Sequence, residues 1–146
     1  MLGEIAIGAD HAGFTLKEAL KEFFDTREIS YKDYGCFSTE RIDYPDVAFE
    51  VAKAVKSGDY TQGVLCCGSG IGMAMAANRI PEIRAVVCSD VYTATMSRRH
   101  NNANIICFGG RIIAPEYAQE LLDIFMNTPF EGSRHQRRIE KMDIAQ

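Results

Sequence analysis

No two cysteines of this 146-residue chain are spaced Cys-x-x-Cys, although it holds five: Cys36, Cys66, Cys67, Cys88 and Cys107. An odd set without that spacing argues against a disulfide framework or a structural zinc site, and fits a reducing cytoplasm. A basic excess is also missing. The 16 Lys+Arg against 20 Asp+Glu leave a formal net charge of -4, without the positive surplus of a typical nucleic-acid binder. No apolar run reaches membrane-spanning length, and Gly3-Glu4-Ile5-Ala6-Ile7 already reads as a strand, so neither a membrane anchor nor an export leader is expected. Internal repeats and low-complexity tracts are absent too. What is present is enough apolar content, 47%, to build the core of one domain over residues 1–146.

Short β-type runs alternate with helical patterns. Glu4–Ala9, Glu28–Tyr34, Gly63–Cys67, Arg84–Cys88 and Asn104–Phe108 read as strands. Between them, Phe14–Phe24 places Leu16, Ala19, Leu20, Phe23 and Phe24 on one face, and Asp46–Val55 does the same with Val47, Val51, Ala54 and Val55. Ile71–Arg79, Val91–Arg99 with Ser89 or Asp90 as N-cap, and Pro115–Met126 complete five β-α units. Such alternation predicts a Rossmann-like three-layer α/β/α sandwich on a five-stranded parallel sheet, with ligands at the strands' C-terminal ends. The breaker-rich link Asn127–Ser133 then leads to a predicted helix from Arg134 to about Ala145, placed to leave the body.

Two glycine-rich strand ends could carry chemistry. Gly8-Ala9-Asp10-His11-Ala12-Gly13 has P-loop glycine spacing but continues with Phe14-Thr15, so it is no Walker motif. Cys67-Gly68-Ser69-Gly70-Ile71-Gly72 misses the Gly-x-Gly-x-x-Gly spacing of a dinucleotide site, and Met73 stands where a Cys-x5-Arg phosphatase needs arginine. What remains is a thiol followed by backbone N–H groups, which favour a thiolate and can cradle an oxyanion that forms only during reaction. The bland alternative is a small buried cysteine beside a tight turn. Asp10 can serve chemistry or merely cap the helix that follows Gly13. His100 could reach the same edge through a tertiary contact. Arg134, Arg137 and Arg138 sit at i, i+3 and i+4 on the terminal helix, where they can grip a phosphate or form a solvated face, with Arg111 a further candidate.

The strings GADHAG, STERIDYPD, CGSGIGMAMAANRI, RAVVCSD, RRHNNANIICFGGR and EGSRHQRRIE resemble the type B ribose-5-phosphate isomerases, within a sugar-phosphate isomerase family that includes galactose-6-phosphate isomerase subunits. The resemblance covers nearly the whole chain. It implies that Cys67 is the base moving a proton between C1 and C2, with Ser69 hydrogen-bonding the thiol. It further implies enediolate stabilisation by the amides of Gly68, Ser69, Gly70, Ile71 and Gly72 and by Asn101, and ring opening by His100 helped by Asp10. His11, Arg111, Arg134 and Arg138 would hold the phosphate, the last two from a partner subunit in a homodimer or homotetramer, and Tyr44 would line the site. Neither a cofactor nor a metal is implied. One family branch replaces the cysteine by a glutamate at the position of Met73, so Cys67 places this chain with the cysteine branch. Isomerases of six-carbon sugar phosphates, such as allose or galactose 6-phosphate, are the nearest rivals, and a non-catalytic phosphosugar-binding module is the rival of another class.

Overall fold

The computed structural model describes residues 3–145. Five strands and six helices follow one another as β1 (Gly3–Ala9), α1 (Phe14–Thr26), β2 (Tyr31–Asp33), α2 (Tyr44–Lys56), β3 (Tyr60–Cys67), α3 (Ile71–Ala77), β4 (Ala85–Val87), α4 (Val91–Arg99), β5 (Ile105–Gly109), α5 (Pro115–Asn127) and α6 (Arg134–Ile144). All strands are parallel, in the order β2-β1-β3-β5-β4. Helices α2 and α3 bury Val51, Val55 and Met73 on one face of the sheet, with Leu65 and Cys107. On the other face α1, α4 and α5 bury Leu20, Phe24, Ala94 and Phe125 against Ile7, Val64 and Phe108. The predicted three layers and five parallel strands are what the structure contains.

Local chemistry explains the boundaries. Asp90 caps α4 by accepting from Thr93 N–H at 2.7 Å, and Pro45 and Pro115 occupy the first turns of α2 and α5, where a missing N–H is harmless. β2 is shorter than the predicted Glu28–Tyr34 because Glu28 takes φ +55, a left-handed conformation that no strand continues through. Helix α3 stops at Ala77 rather than Arg79. There the side chain of Asn78 pairs both ways with the backbone of Ala85, at 2.7 and 2.9 Å, and turns the chain into β4. Terminal helix α6 lies against its own chain through the buried His135 and Ile139. No described helix is long and apolar enough to cross a membrane.

Candidate active site

The chain leaves β1 in one direction along the sheet and β3 in the other, and the crevice between the two strand ends is where such folds bind ligands. β1 and β3 are paired up to Ala9 opposite Cys66, so Asp10 and Cys67 emerge side by side. Close approach of the two loops needs glycine: a Cβ on Gly13 would stand 2.2 Å from the carbonyl oxygen of Cys66. A cleft of about 380 Å³ opens there, lined among others by Asp10, His11, Tyr44, Cys67, Ser69 and Arg111.

Cys67 is buried, and its Sγ accepts the N–H of Gly70 at 3.1 Å. Gly70 enters α3 with φ +82, so only glycine presents that N–H without strain. Ser69 Oγ accepts from Ile71 N–H at 3.2 Å, so the thiol's hydrogen bond comes from the backbone rather than from the expected serine hydroxyl. Of the first amides of α3, that of Ile71 is satisfied by Ser69, and those of Gly72 and Met73 precede the first helical acceptor, where an anion can meet them. Cys66, one residue earlier, points into the opposite layer, where complete burial pushes its thiol far up, and burial does the same to Cys107.

Around the thiol, Asp10 is buried and its Oδ1 accepts from Ala12 N–H at 2.9 Å and Gly13 N–H at 3.0 Å. This ties down the turn before α1, and the second carboxylate oxygen is free of that task. His11 Nδ1 accepts Ile42 N–H at 3.3 Å, so the neutral imidazole carries its proton on Nε2, the atom left to donate to a ligand. Arg111 is exposed and lies over Gly68, where an added Cβ would meet its Nη1 at 3.3 Å. The ring of Tyr44 covers Gly72 so closely that a Cβ there would stand 2.7 Å from Cζ.

Four expected site residues are not brought to this cleft within the chain. Helix α4 returns from the C-terminal end of β4 to the start of β5, which leaves His100 and Asn101 at the N-terminal edge of the sheet. β5 pairs Ile105 with Gly63 and Gly109 with Cys67, so its full length, about 13 Å at 3.3 Å per residue, separates His100 from Cys67. The tertiary contact expected to carry His100 to the Cys67 edge does not form, because α4 runs antiparallel to the strands. Arg134 and Arg138 are exposed on α6 at that same far edge, and neither forms an ion pair among the described residues. Two residues that the sequence reading passed over stand beside them. His135 stacks on His100 with ring centroids 4.2 Å apart, and Glu131 reaches both imidazoles. Only the spacing of Glu131 and His135, one helical turn apart, hinted at this in the sequence.

Comparison with known proteins settles the lineage. A model of the ribose/galactose isomerase family matches residues 5–142. The chain belongs to that family. It is similar to ribose-5-phosphate isomerase B of Escherichia coli, with 44% identity over 94% of this chain and 92% of the relative. The D-erythrulose-4-phosphate isomerase of Pectobacterium atrosepticum is 40% identical over 94% of this chain and 91% of its own. Among solved structures, ribose-5-phosphate isomerase B of Clostridium thermocellum superposes with a TM-score of 0.96 at 41% identity, covering 97% of this chain and 96% of that one. Family membership makes the Cys67 cleft, at the switch point of the sheet, the candidate site for a phosphorylated sugar.

Proposed function

We propose that the chain, one sugar-phosphate isomerase domain over 1–146, interconverts D-ribose 5-phosphate and D-ribulose 5-phosphate through an enediolate, with Cys67 as the base. The observation that carries this reading is a thiol held by Gly70 N–H at the lip of a cleft that also presents Asp10, His11 and Arg111, in a chain 44% identical to a ribose-5-phosphate isomerase B. Cys67 takes the C2 proton of the open-chain aldehyde, and the electron pair moves through C1 to O1. Amides from Gly68 to Gly72, with Ser69 seated among them and Asn101 beside them, stabilise that oxyanion. The O2 hydroxyl proton passes to O1, and return of the abstracted proton from Cys67 to C1 as C2=O2 forms completes an isomerisation with no net oxidation. His100 and Asp10 open the furanose beforehand, Tyr44 walls the cleft, and His11 with Arg111, Arg134 and Arg138 grips the distant phosphate, whose binding energy orients the reacting carbons.

Such a site takes two chains. Cys67, Asp10, His11 and Arg111 stand at one edge of the sheet, and His100, Asn101, Arg134 and Arg138 at the other, so one chain's far edge completes its partner's cleft in a two-fold dimer, free or within a tetramer. The five buried, unpaired cysteines support a reducing compartment, the cytoplasm. The test is kcat/KM on ribose 5-phosphate, allose 6-phosphate and galactose 6-phosphate, with and without a chelator. Ribose 5-phosphate should lead by about tenfold or more, the scale on which a pocket resolves one carbon, and the chelator should change nothing. Preference for a six-carbon substrate would reassign the substrate, and loss of rate on chelation would overturn the metal-free mechanism.

A further inference from the structure

We infer that Glu131 is the positioning residue for His100, a carboxylate clamp that aims the imidazole and balances the charge it acquires when a sugar ring opens. This rests on the ring-opening role proposed for His100. Glu131 stands in the link between α5 and α6, and both of its ends are fixed by the end of α4. Its N–H donates to Arg99 O at 3.0 Å, and its Oε1 receives Arg99 Nε at 2.6 Å. The other oxygen, Oε2, faces His100 Nε2 at 3.9 Å and His135 Nε2 at 3.8 Å. Those separations are too long for a direct hydrogen bond and within ion-pair distance of an imidazolium.

His135 supplies the other half of the clamp. Its ring lies 12° from parallel to that of His100 and fixes the plane of the imidazole, whereas the carboxylate fixes its edge. His135 is 5% exposed, and its buried Nε2 has no hydrogen-bond partner among the described residues. Burial first, then the neighbouring His100 and Arg134, hold its pKa below the ordinary 6.5, against the opposing pull of Glu131. It therefore stays neutral near neutral pH and leaves the carboxylate's charge to His100. One oxygen of Glu131 and one nitrogen of each histidine lie within 4.8 Å of one another, which invites a metal ion. Near-parallel stacked rings cannot aim their in-plane lone pairs at one ion, so this geometry serves charge balance instead.

In ring opening the C1–O4 bond breaks, the O1 hydroxyl gives up its proton as C1=O1 forms, and the ring oxygen takes a proton. An imidazole that accepts one proton and returns it passes through a cation. Glu131 stabilises that cation and Arg99 keeps Glu131 in place.

The reaction can be watched apart from isomerisation. In a Cys67→Ala background no enediolate forms, yet each enzyme-assisted opening of [1-13C]ribose 5-phosphate scrambles its two anomers, which magnetisation-exchange NMR measures. Cys67→Ala should accelerate anomer exchange and adding His100→Ala should abolish the acceleration. Adding Glu131→Gln, which keeps the shape and a partner for Arg99, should cut it by about 10–100-fold, the usual scale for a residue that orients another. Glu131→Asp should restore part of the loss, and the exposed Arg99→Met should reproduce it in weaker form without a change in melting temperature. Full acceleration with Glu131→Gln or with Arg99→Met, while His100→Ala abolishes it, would overturn the clamp and leave the proposed function standing. Acceleration that survives His100→Ala would remove the ring-opening role itself, and the clamp with it.

Discussion

Cys66 and Cys67 are adjacent in sequence and opposite in circumstance. Alternation along β3 sends Cys66 into the layer of α1 and α5, where burial keeps it a neutral thiol, and turns Cys67 toward the side where the Gly70 N–H meets its sulfur. One residue is packing and the other faces a cleft. Cys67→Ala should lower kcat on ribose 5-phosphate by about a thousandfold or more, as loss of the proton-transferring group demands, while calorimetry still detects ribose 5-phosphate binding through the phosphate grip. Turnover near normal in that variant would remove the base. Cys66→Ala should leave kcat within about twofold and lower unfolding stability by about 1 kcal/mol, the central value for a small core change.

At the scale of elements, α1 and β2 are locked by a buried charge network just behind the site. Lys17 is fully buried, and its Nζ donates to Asp33 Oδ2 and to Cys36 O, both at 2.6 Å; Lys21 Nζ reaches the same Asp33 oxygen at 2.9 Å. Asp33 Oδ1 also accepts Gly35 N–H at 2.8 Å, which fixes the turn that leads to the loop whose Ile42 N–H holds His11. Burial alone would raise the Asp33 carboxyl, but hydrogen bonds from Lys17, Lys21 and Gly35 outweigh it and hold the carboxyl below its ordinary 3.8. A depressed carboxylate stabilises the fold above the unfolded value, and the contribution is lost as pH falls through the folded one. Lys17→Met should therefore lose about 3 kcal/mol in urea unfolding at neutral pH, the scale of a broken buried pair. The stability gap between the wild type and Asp33→Asn should close as pH drops from about 5 to about 2; a gap independent of pH would show that the carboxylate's charge contributes nothing. This network was illegible in the sequence, because Lys17 occupies an ordinary helical position and its burial depends on where β2 ends. The sheet, its layers and the Cys67 loop were legible, since period-two and period-3.6 patterns and a glycine run after a strand are local signals. The edge on which His100 stands was illegible for the opposite reason: it follows from α4 running against the strands, a topological fact that no local signal carries.

At the scale of the whole molecule, the proposed function divides one site between the two edges of the sheet. The Cys67 edge has the thiol with His11 and Arg111; the α6 edge has His100, Asn101 and the exposed Arg134 and Arg138. A two-fold pairing that brings each α6 edge to the other chain's cleft makes two equivalent sites, each mixed in origin. Two lesions on opposite edges must then complement. Cys67→Ala alone and His100→Ala with Arg134→Ala and Arg138→Ala should each be nearly inactive. After co-refolding at equal amounts, about half of the dimers are mixed, and each mixed dimer has one site with every lesion and one with none, so about a quarter of wild-type activity should return. Each variant refolded alone is the control, and differently tagged chains verify that mixed dimers form. Lesions that met within a single chain's site would leave every site defective in any mixture. Inactive mixed dimers would therefore place His100, Arg134 and Arg138 with their own chain's Cys67, against the span of β5 that separates them.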